Sequence, residues 1–370
     1  MHVQLVDPPS YTPPYDFSLA TALARAGAEV ELLMSHYLYG PLPPATGFGV
    51  REAFYERATK GRRSTTQRRA LRALEHVPDM LRHRRGAAAA DVVHYQWLTL
   101  EALDAFLMPR GVPTVFTSHN VLRRGQGQIR ERAARLVAAR VDAVVAHTDV
   151  SATELVERFG ADPAKVHVIP HGAFDYLTRQ DTESPLPKEL ARVEGPVILC
   201  FGVLRPYKGV DVLLDAFRGV DGAELWIVGR PWMSLEPLKR AAAAAGGTVR
   251  FVERFVPDSE LPAYLRRADV VVLPYREIDQ SGVLYTALAF GKAMVLSDVG
   301  GFSEVGRRHR AATLVPPEDP GALGDALTEL IAYPERRAEL ERHAAAAAAG
   351  PYSWDEIGRR TLALYERLLG

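Results

Sequence analysis

The chain has 370 residues, enough for two domains that each bury their own core. Its 45 basic and 45 acidic residues cancel, so no overall field attracts nucleic acid or a membrane. The single cysteine, Cys200, excludes an intramolecular disulfide, and residues 1–7 do not resemble a signal peptide. No apolar run reaches the roughly 20 residues that a membrane-spanning helix needs, so we expect a cytoplasmic protein.

Short apolar strands alternate with helical patterns along the first half of the chain. The predicted strands are residues 2–6, 29–34, 91–94, 114–117, 143–147 and 166–169. Buried strands separated by helices are typical of a parallel sheet that is covered on both faces. The sequence therefore predicts an α/β domain over residues 1–178.

A polar, proline-containing stretch is the predicted linker, at residues 179–194. The strand and helix pattern then restarts at Pro196, with predicted strands at residues 197–201, 224–228, 248–252, 270–273 and 293–297. We expect a second domain over residues 195–351. Two Rossmann-like domains, whose parallel sheets face a central cleft, are the predicted architecture.

An arginine-rich region lies between residues 51 and 85. Leu71, Leu74, Val77 and Leu81 recur there at helical spacing, although Pro78 interrupts the pattern. Such a segment can be an amphipathic helix on anionic lipid, which would make the protein peripheral at the inner face of the membrane. An ordinary solvated helix is the alternative.

The strongest chemical signal follows the predicted strand 197–201. Gly202 ends that strand, and the short loop after it carries Arg205 and Lys208. In open α/β domains, ligands bind where strands end and helices begin. Two cations at such a place suit a diphosphate, which needs its charge neutralised.

Further loops of the second domain fall at similar positions. Gly229 allows close approach of a ligand to the backbone, and Arg230 offers another cation. A third loop, Gln280, Ser281, Gly282 and Val283, opens an apolar helix whose free N–H groups favour an anion. Residues 298–304 form one more strand-to-turn segment. Together these loops predict a site for a nucleoside diphosphate.

Several motifs occur in an order that resembles family 4 glycosyltransferases, which are retaining enzymes of GT-B fold. The motifs are Thr-Ser-His-Asn at 117–120, Val-Ile-Pro-His-Gly at 168–172, the Arg205 and Lys208 loop, Leu-Trp-Ile-Val-Gly at 225–229, residues 268–274, residues 287–301 and Tyr-Ser-Trp at 352–354. The resemblance implies a bacterial hexosyltransferase that moves a sugar from a UDP- or GDP-linked donor. It also implies that a last helix, at about 352–370, packs back on the N-terminal domain.

The resemblance implies roles for individual residues. Arg205 and Lys208 would hold the donor phosphates, and His119 would lie beside the donor sugar. Two glutamates of the family have no direct equivalent in this chain. Thr286 takes the place of the one that binds ribose. Ile278 takes the place of the other, where the neighbouring Glu277, in preference to Asp279, would contact the sugar.

The N-terminal loop departs from the family pattern. Relatives carry a glycine pair there, whereas this chain has four prolines between residues 8 and 14, which remove N–H donors. Tyr15, Asp16 and, from another strand, His94 are candidates for the acceptor side. A purely structural role is the alternative for each.

The implied chemistry is a front-face transfer without a metal or another cofactor, and the absence of any Asp-x-Asp sequence agrees with it. The acceptor would be a hydroxyl of a glycan, a glycolipid or a small metabolite. Two alternatives stay open: a non-catalytic sugar-nucleotide binding protein, and a sugar-nucleotide 2-epimerase. The epimerase needs several acidic residues, and few occur near the predicted loops.

Overall fold

The computed structural model describes residues 1–120 and 128–370, and all statements below concern this part of the chain. The chain forms two compact units. The first comprises Met1–Gly172 and Trp354–Gly370, and the second comprises Ala173–Ser353. Each unit is described by itself.

The first unit is built on a parallel sheet. Its strands are β1 (His2–Asp7), β2 (Glu29–Ser35), β3 (Gly49–Phe54), β4 (Val92–Tyr95), β5 (Thr114–Ser118), β6 (Ala143–Ala146) and β7 (Val166–Val168). Their spatial order is β3-β2-β1-β4-β5-β6-β7. The chain reverses its direction of travel across the sheet between β1 and β4, which is where ligands bind in such sheets.

Helices cover this sheet. They are α1 (Pro13–Arg25), α2 (Glu56–Thr59), α3 (Thr65–Gly86), α4 (Glu101–Leu107), α5 (Gln128–Arg140) and α6 (Asp149–Glu157). The central strands are buried on both faces, as in residues 92–95 and 143–146. This burial explains why the sequences of these strands are continuous apolar runs.

The second unit repeats the plan. Its strands are β8 (Val197–Phe201), β9 (Glu224–Val228), β10 (Val249–Val252), β11 (Val270–Leu273), β12 (Ala293–Ser297) and β13 (Thr313–Val315), in the order β10-β9-β8-β11-β12-β13. All pairings are parallel. Here the order reverses between β8 and β11, so the ends of these two strands mark the crevice.

The helices of the second unit follow in chain order. They are α7 (Lys188–Ala191), α8 (Val210–Phe217), α9 (Glu236–Ala243), α10 (Leu261–Arg267), α11 (Gly282–Ala289), α12 (Gly300–His309), α13 (Pro320–Ala332) and α14 (Pro334–Ala349). The last helix of the chain, α15 (Trp354–Leu369), belongs to the first unit, where it packs on α1.

The predicted class is confirmed, because both units are α/β with parallel sheets. Two edge strands, β3 and β13, were not predicted. Most of β3 is exposed and includes Arg51 and Glu52, so it lacks the apolar signature of a buried strand. The segment 179–194 is also more than a linker, since Leu190 is 2% exposed and packs in the core of the second unit.

The arginine-rich region at 51–85 comprises part of β3, α2 and the helix α3, which contains Pro78. The buried face of α3 carries His76, Asp79, Met80 and His83. Leu74, by contrast, is 73% exposed. Leu71 packs partly buried against the core, so the apolar positions predicted from the sequence are divided between the buried and the exposed side of the helix. No helix of the described residues is long and apolar enough to cross a membrane.

Candidate active site

The candidate site of the second unit is centred on a buried amine. Lys208 lies in a short 3-10 turn after β8 and is only 6% exposed. Its Nζ donates to the Tyr275 hydroxyl over 2.6 Å and lies 4.6 Å from the centre of that ring. The Ser281 hydroxyl is 3.4 Å from the Tyr275 oxygen. The predicted cation is thus joined to the predicted helix start through Tyr275.

Glycine backbones leave the space for this amine. A Cβ on Gly202, which has φ of 115°, would lie 2.8 Å from Lys208 Nζ. Gly229, with φ of 151°, would place a Cβ 2.0 Å from the Gly202 carbonyl oxygen. The ends of β8 and β9 are therefore in direct backbone contact. A side chain at Gly202 would fill the space beside the amine, and one at Gly229 would clash with the Gly202 backbone.

Arg205 takes a different position from Lys208. Its guanidinium stacks 4.2 Å above the ring centre of Trp232, which is 59% exposed. The backbone of Leu204 bonds to both Arg230 and Trp232, so the loops after β8 and β9 run together. The Arg230 side chain is exposed on this rim. The two adjacent loops therefore carry one buried cation, Lys208, and two cations near the surface, Arg205 and Arg230.

Arg276 holds the lysine loop in place. Its Nη1 donates to the Pro206 carbonyl oxygen over 2.7 Å, and its guanidinium makes a forked pair with Asp211 of α8. Nε donates to Glu318 over 2.9 Å, and the backbone N–H donates to the Tyr207 carbonyl. These bonds tie the loop after β8 to the loop after β11.

The start of α11 completes this group of residues. Ser281 is the N-cap residue and is buried, but its hydroxyl does not cap the helix. Because the first N–H groups of a helix have no partner within it, those of Gly282 and Val283 are suited to an anion. Gln280 lies just before them, within 3.5 Å of the Tyr285 hydroxyl.

The substitutes for the family's glutamates differ in exposure. Thr286 is 4% exposed, and its hydroxyl donates to the Gly282 carbonyl, so only its lone pairs remain for a ligand. Glu277 is exposed, whereas Asp279 is buried beside Gly301, whose N–H bonds to the Asp279 carbonyl oxygen. The contacts expected of Thr286 and Glu277 stay predictions.

The candidate site of the first unit is a cluster of aromatic and histidine rings. Tyr15, in the first turn of α1, makes edge contacts with His119, His147 and His171 at centroid distances of 4.8, 5.4 and 4.9 Å. Trp97 stacks on His119 at 5.0 Å. The predicted residues Tyr15 and His119 therefore lie together, at the carboxyl ends of β1, β4, β5 and β6.

Burial lowers the pKa of the histidines in this cluster. The pKa of His147 falls to about 4 and that of His171 to about 3, while that of His119 lies well below its usual range. The ring nitrogens of His94 bond to Tyr365 and Thr117 at 2.6 and 2.7 Å. Its contact with an acceptor stays a prediction.

Two buried carboxyls hold the proline loop. Asp7 ends β1 and accepts the N–H groups of Tyr11 and Thr12, and a side-chain bond joins it to Asp16. Burial raises the pKa of Asp7 to about 6 and raises that of Asp16 well above its usual value, with repulsion between the pair as a further cause for Asp16. Since like charges so close cannot both ionise easily, the pair retains a proton near neutral pH.

Two different family models match this chain, one in each of its two units. A glycosyl transferases group 1 model matches residues 195–333, and a Glycosyltransferase Family 4 model matches residues 17–173. A D-inositol 3-phosphate glycosyltransferase of Jonesia denitrificans is 31% identical over 75% of this chain and 72% of its own length. That of Xylanimonas cellulosilytica is 30% identical over 95% of this chain and 90% of its own.

Solved structures agree on the fold. An Anabaena HepE structure with UDP covers 99% of this chain and 100% of its own, with a TM-score of 0.74 and 18% identity. Sucrose-phosphate synthase of Thermosynechococcus elongatus covers 100% and 99%, with a TM-score of 0.72 and 18% identity. The fold is thus GT-B, as predicted. The chain belongs to the family 4 glycosyltransferases, of group 1, and is a glycosyltransferase.

Sequence reasoning missed four residues of these sites. Tyr275 and Arg276 follow the predicted strand 270–273, and Gln96 and His147 follow β4 and β6. Their position directly after buried strands was the available signal. It does not say which partner each side chain meets, because those partners come from other parts of the chain.

The lysine loop depends on Arg276 for its order, so Arg276→Leu should loosen it. We expect the amides of Lys208 and Gly209, which close the turn at 3.0 and 3.3 Å, to exchange hydrogen about tenfold faster or more, as local opening becomes easier. Arg254→Leu is the matched control, since Arg254 pairs with Glu260 elsewhere in the unit. Equal exchange at these amides in both variants would show that Arg276 does not order the loop.

The Asp7 and Asp16 pair should make stability depend on pH. The folded state binds a proton more tightly than the unfolded chain, so the free energy of unfolding falls as the pH rises above 3.8, through about 6 for the pKa of Asp7 and further for Asp16, whose pKa is raised well above its usual value. Asp16→Asn removes the second charge and should reduce the difference between pH 5 and pH 8 by about 1–3 kcal/mol, measured by urea denaturation. Asp221→Asn, on the surface, should leave that difference unchanged. A pH profile that is unaltered in Asp16→Asn would contradict the shared proton.

Proposed function

We propose that this chain transfers a sugar from a nucleoside-diphosphate sugar to an acceptor hydroxyl, with retention of the anomeric configuration. The observation that carries the proposal is the buried Lys208 amine, held beside the start of α11 at the point where the strand order reverses. HepE, which shares the fold, has been solved with UDP and with UDP-glucose. The relatives from Jonesia denitrificans and Xylanimonas cellulosilytica carry the name D-inositol 3-phosphate glycosyltransferase.

The chemistry that these residues support is stabilisation of a leaving group. As the bond from the anomeric carbon to the phosphate oxygen breaks, its electron pair leaves with the diphosphate, and negative charge grows there. Lys208 retains N–H groups beyond the one that Tyr275 accepts, and Arg205 lies on the rim of the same loop. Donors that are already in place cost no reorganisation during the reaction.

The acceptor hydroxyl would attack on the face from which the diphosphate departs. Its oxygen forms the new bond to the anomeric carbon, and its proton passes to the departing phosphate oxygen. This route needs no protein nucleophile and no metal, since Lys208, Arg205 and the amides of α11 carry the charge. Activity should therefore persist after chelation with EDTA.

The remaining predicted residues would recognise the sugars. We assign His119 and either Glu277 or Asp279 to the donor sugar, and Tyr15 and Asp16 to the acceptor side. The proline loop presents Tyr11, which is 64% exposed and packs edge-on against Trp97. Exposed aromatic rings beside polar groups suit the apolar face and the hydroxyls of a sugar ring.

The experiment is a panel of UDP- and GDP-sugars, scored first by thermal shift, because binding stabilises the folded state. Stabilising donors are then assayed for hydrolysis and for transfer to acceptors that include inositol, inositol phosphate and glycolipids. Retention is read from the anomeric proton of the product. Binding with neither transfer nor hydrolysis would favour a non-catalytic binding protein, and release of UDP with a C2 epimer would favour an epimerase.

Lys208→Met tests the charge while keeping the volume of the side chain. We expect kcat to fall by about 10²–10³, the range for loss of one preorganised donor to a developing oxyanion. The fold should persist, since an apolar group of similar size replaces a buried charge. Arg218→Met, on the exposed side of α8, is the control and should keep full activity. Turnover at the normal rate in Lys208→Met would remove Lys208 from the mechanism.

We also propose that the exposed face of α3 contacts anionic lipid. Leu74 and Val77 are 73% and 37% exposed, and α3 carries six arginines against two acidic residues, Glu75 and Asp79. Glu75 accepts N–H groups of α2, while Asp79 accepts that of Tyr55 and pairs, among the described residues, with Arg82 only, so the other arginines of α3 outnumber the acidic residues left to balance them. Apolar side chains flanked by arginines fit a surface of acidic headgroups.

Replacing Leu74 and Val77 together by serine should weaken binding to phosphatidylglycerol vesicles about tenfold or more, because both side chains would otherwise enter the membrane interface. Cosedimentation measures this. Leu369→Ser, which alters an exposed residue at the other end of the chain, should bind as the unaltered protein does. If the double variant binds as tightly as the unaltered protein, this surface does not contact the lipid. The same holds if the unaltered protein prefers neutral vesicles.

A further inference from the structure

The His119 ring has a defined partner at each nitrogen. Nδ1 lies 3.2 Å from His147 Nε2, and Nε2 lies 3.3 Å from the side-chain oxygen Oε1 of Gln96. The other nitrogen of His147 lies 2.9 Å from the Ile169 carbonyl oxygen. His119, His147 and Gln96 are all buried. The three side chains thus form a chain that ends on a backbone carbonyl.

The Ile169 carbonyl determines which ring nitrogens of His147 and His119 carry a hydrogen. A carbonyl oxygen only accepts, so His147 Nδ1 must carry a hydrogen. Burial holds the pKa of His147 at about 4, so the ring is neutral at pH 7 and its Nε2 has a lone pair. His119 must then donate from Nδ1. Since burial also keeps His119 neutral, its Nε2 is left as an acceptor.

We propose that His147 is a positioning residue, which fixes His119 as the Nδ1–H tautomer and leaves Nε2 able only to accept a hydrogen bond. This inference rests on the proposed function, in which His119 lies beside the donor sugar. In that role His119 accepts a sugar hydroxyl and supplies neither a proton nor a positive charge. Charge on the leaving diphosphate is then balanced by other residues.

The assignment requires the Gln96 amide to be turned by 180°, because its Oε1 is the atom placed 3.3 Å from His119 Nε2, and such a turn exchanges the amide oxygen and nitrogen. An oxygen facing the His119 Nε2 lone pair would be repelled, so the amide must turn its N–H group towards that nitrogen. The present amide nitrogen position has no hydrogen-bond partner within the described residues, so the turn breaks no existing bond. At 3.3 Å the contact is at the long end of the range, and a sugar hydroxyl can compete for the lone pair.

The tautomer can be read directly from protein labelled with ¹⁵N-histidine, by two-bond ¹H–¹⁵N correlation at pH 7. The His119 signals are assigned by their loss in His119→Asn. We expect a protonated Nδ1 and an unprotonated Nε2. A His119 ring protonated at Nε2, alone or together with Nδ1, overturns the inference. This reading needs no substrate, so it stands apart from success or failure of the transfer assay.

Two variants at one position then separate positioning from packing. His147→Phe removes the acceptor, so His119 should shift towards the Nε2–H form, and kcat/KM should fall about 10- to 100-fold, as for other partners that orient a functional histidine. His147→Gln retains an oxygen that can accept, and should restore both the tautomer and most of the activity. His36→Phe, on the surface, is the control. If His147→Gln restores neither, or if His147→Phe leaves the tautomer unchanged, the role of His147 is wrong.

Discussion

A lysine amine buried at the carboxyl edge of the second sheet is the constraint on which the proposed donor site depends. Taking an ammonium out of water costs several kcal/mol unless other groups compensate. Tyr275 compensates only in part, through its hydroxyl and the face of its ring. Burial accordingly lowers the pKa of Lys208. A bound anion would compensate the charge of the ammonium. Burial therefore destabilises the ammonium in the free site, and it also strengthens the electrostatic attraction to a bound diphosphate.

The candidate site of the first unit is built from neutral groups and not from a buried charge. Its ring cluster brings several histidines together, yet burial keeps them uncharged, and the Asp7 and Asp16 pair retains a proton. Hydrogen bonds between neutral groups have direction without strong long-range fields. Such a site suits the orientation of hydroxyl groups, whereas the second unit suits the neutralisation of phosphate. In the proposed reaction the two tasks are therefore divided between the units.

Much of the fold followed from the sequence because parallel strands that are buried on both faces are continuous apolar runs. The edge strand β3, with Arg51 and Glu52, lacked that signal, and so did the placement of Leu190 in a core. The candidate site residues Lys208 and Ser281 were also predicted, because they lie in loops between a predicted apolar strand and the helix after it. Tyr275 and His147 were not, because each matters through a partner that is distant in the sequence. Pairwise contacts of this kind depend on the closed fold and have no local pattern.

Under the proposed function, the start of α11 indicates what the absence of the family's glutamate would do to donor recognition. A carboxylate at position 286 could accept both ribose hydroxyls, whereas Thr286 already donates its proton to the Gly282 carbonyl. Side chains on this turn therefore offer the ribose little. Under the proposed function, the binding energy shifts towards the diphosphate, through Lys208 and the amides of Gly282 and Val283. Since every nucleoside diphosphate presents the same phosphates, selection among donors must come from contacts with the sugar and the base.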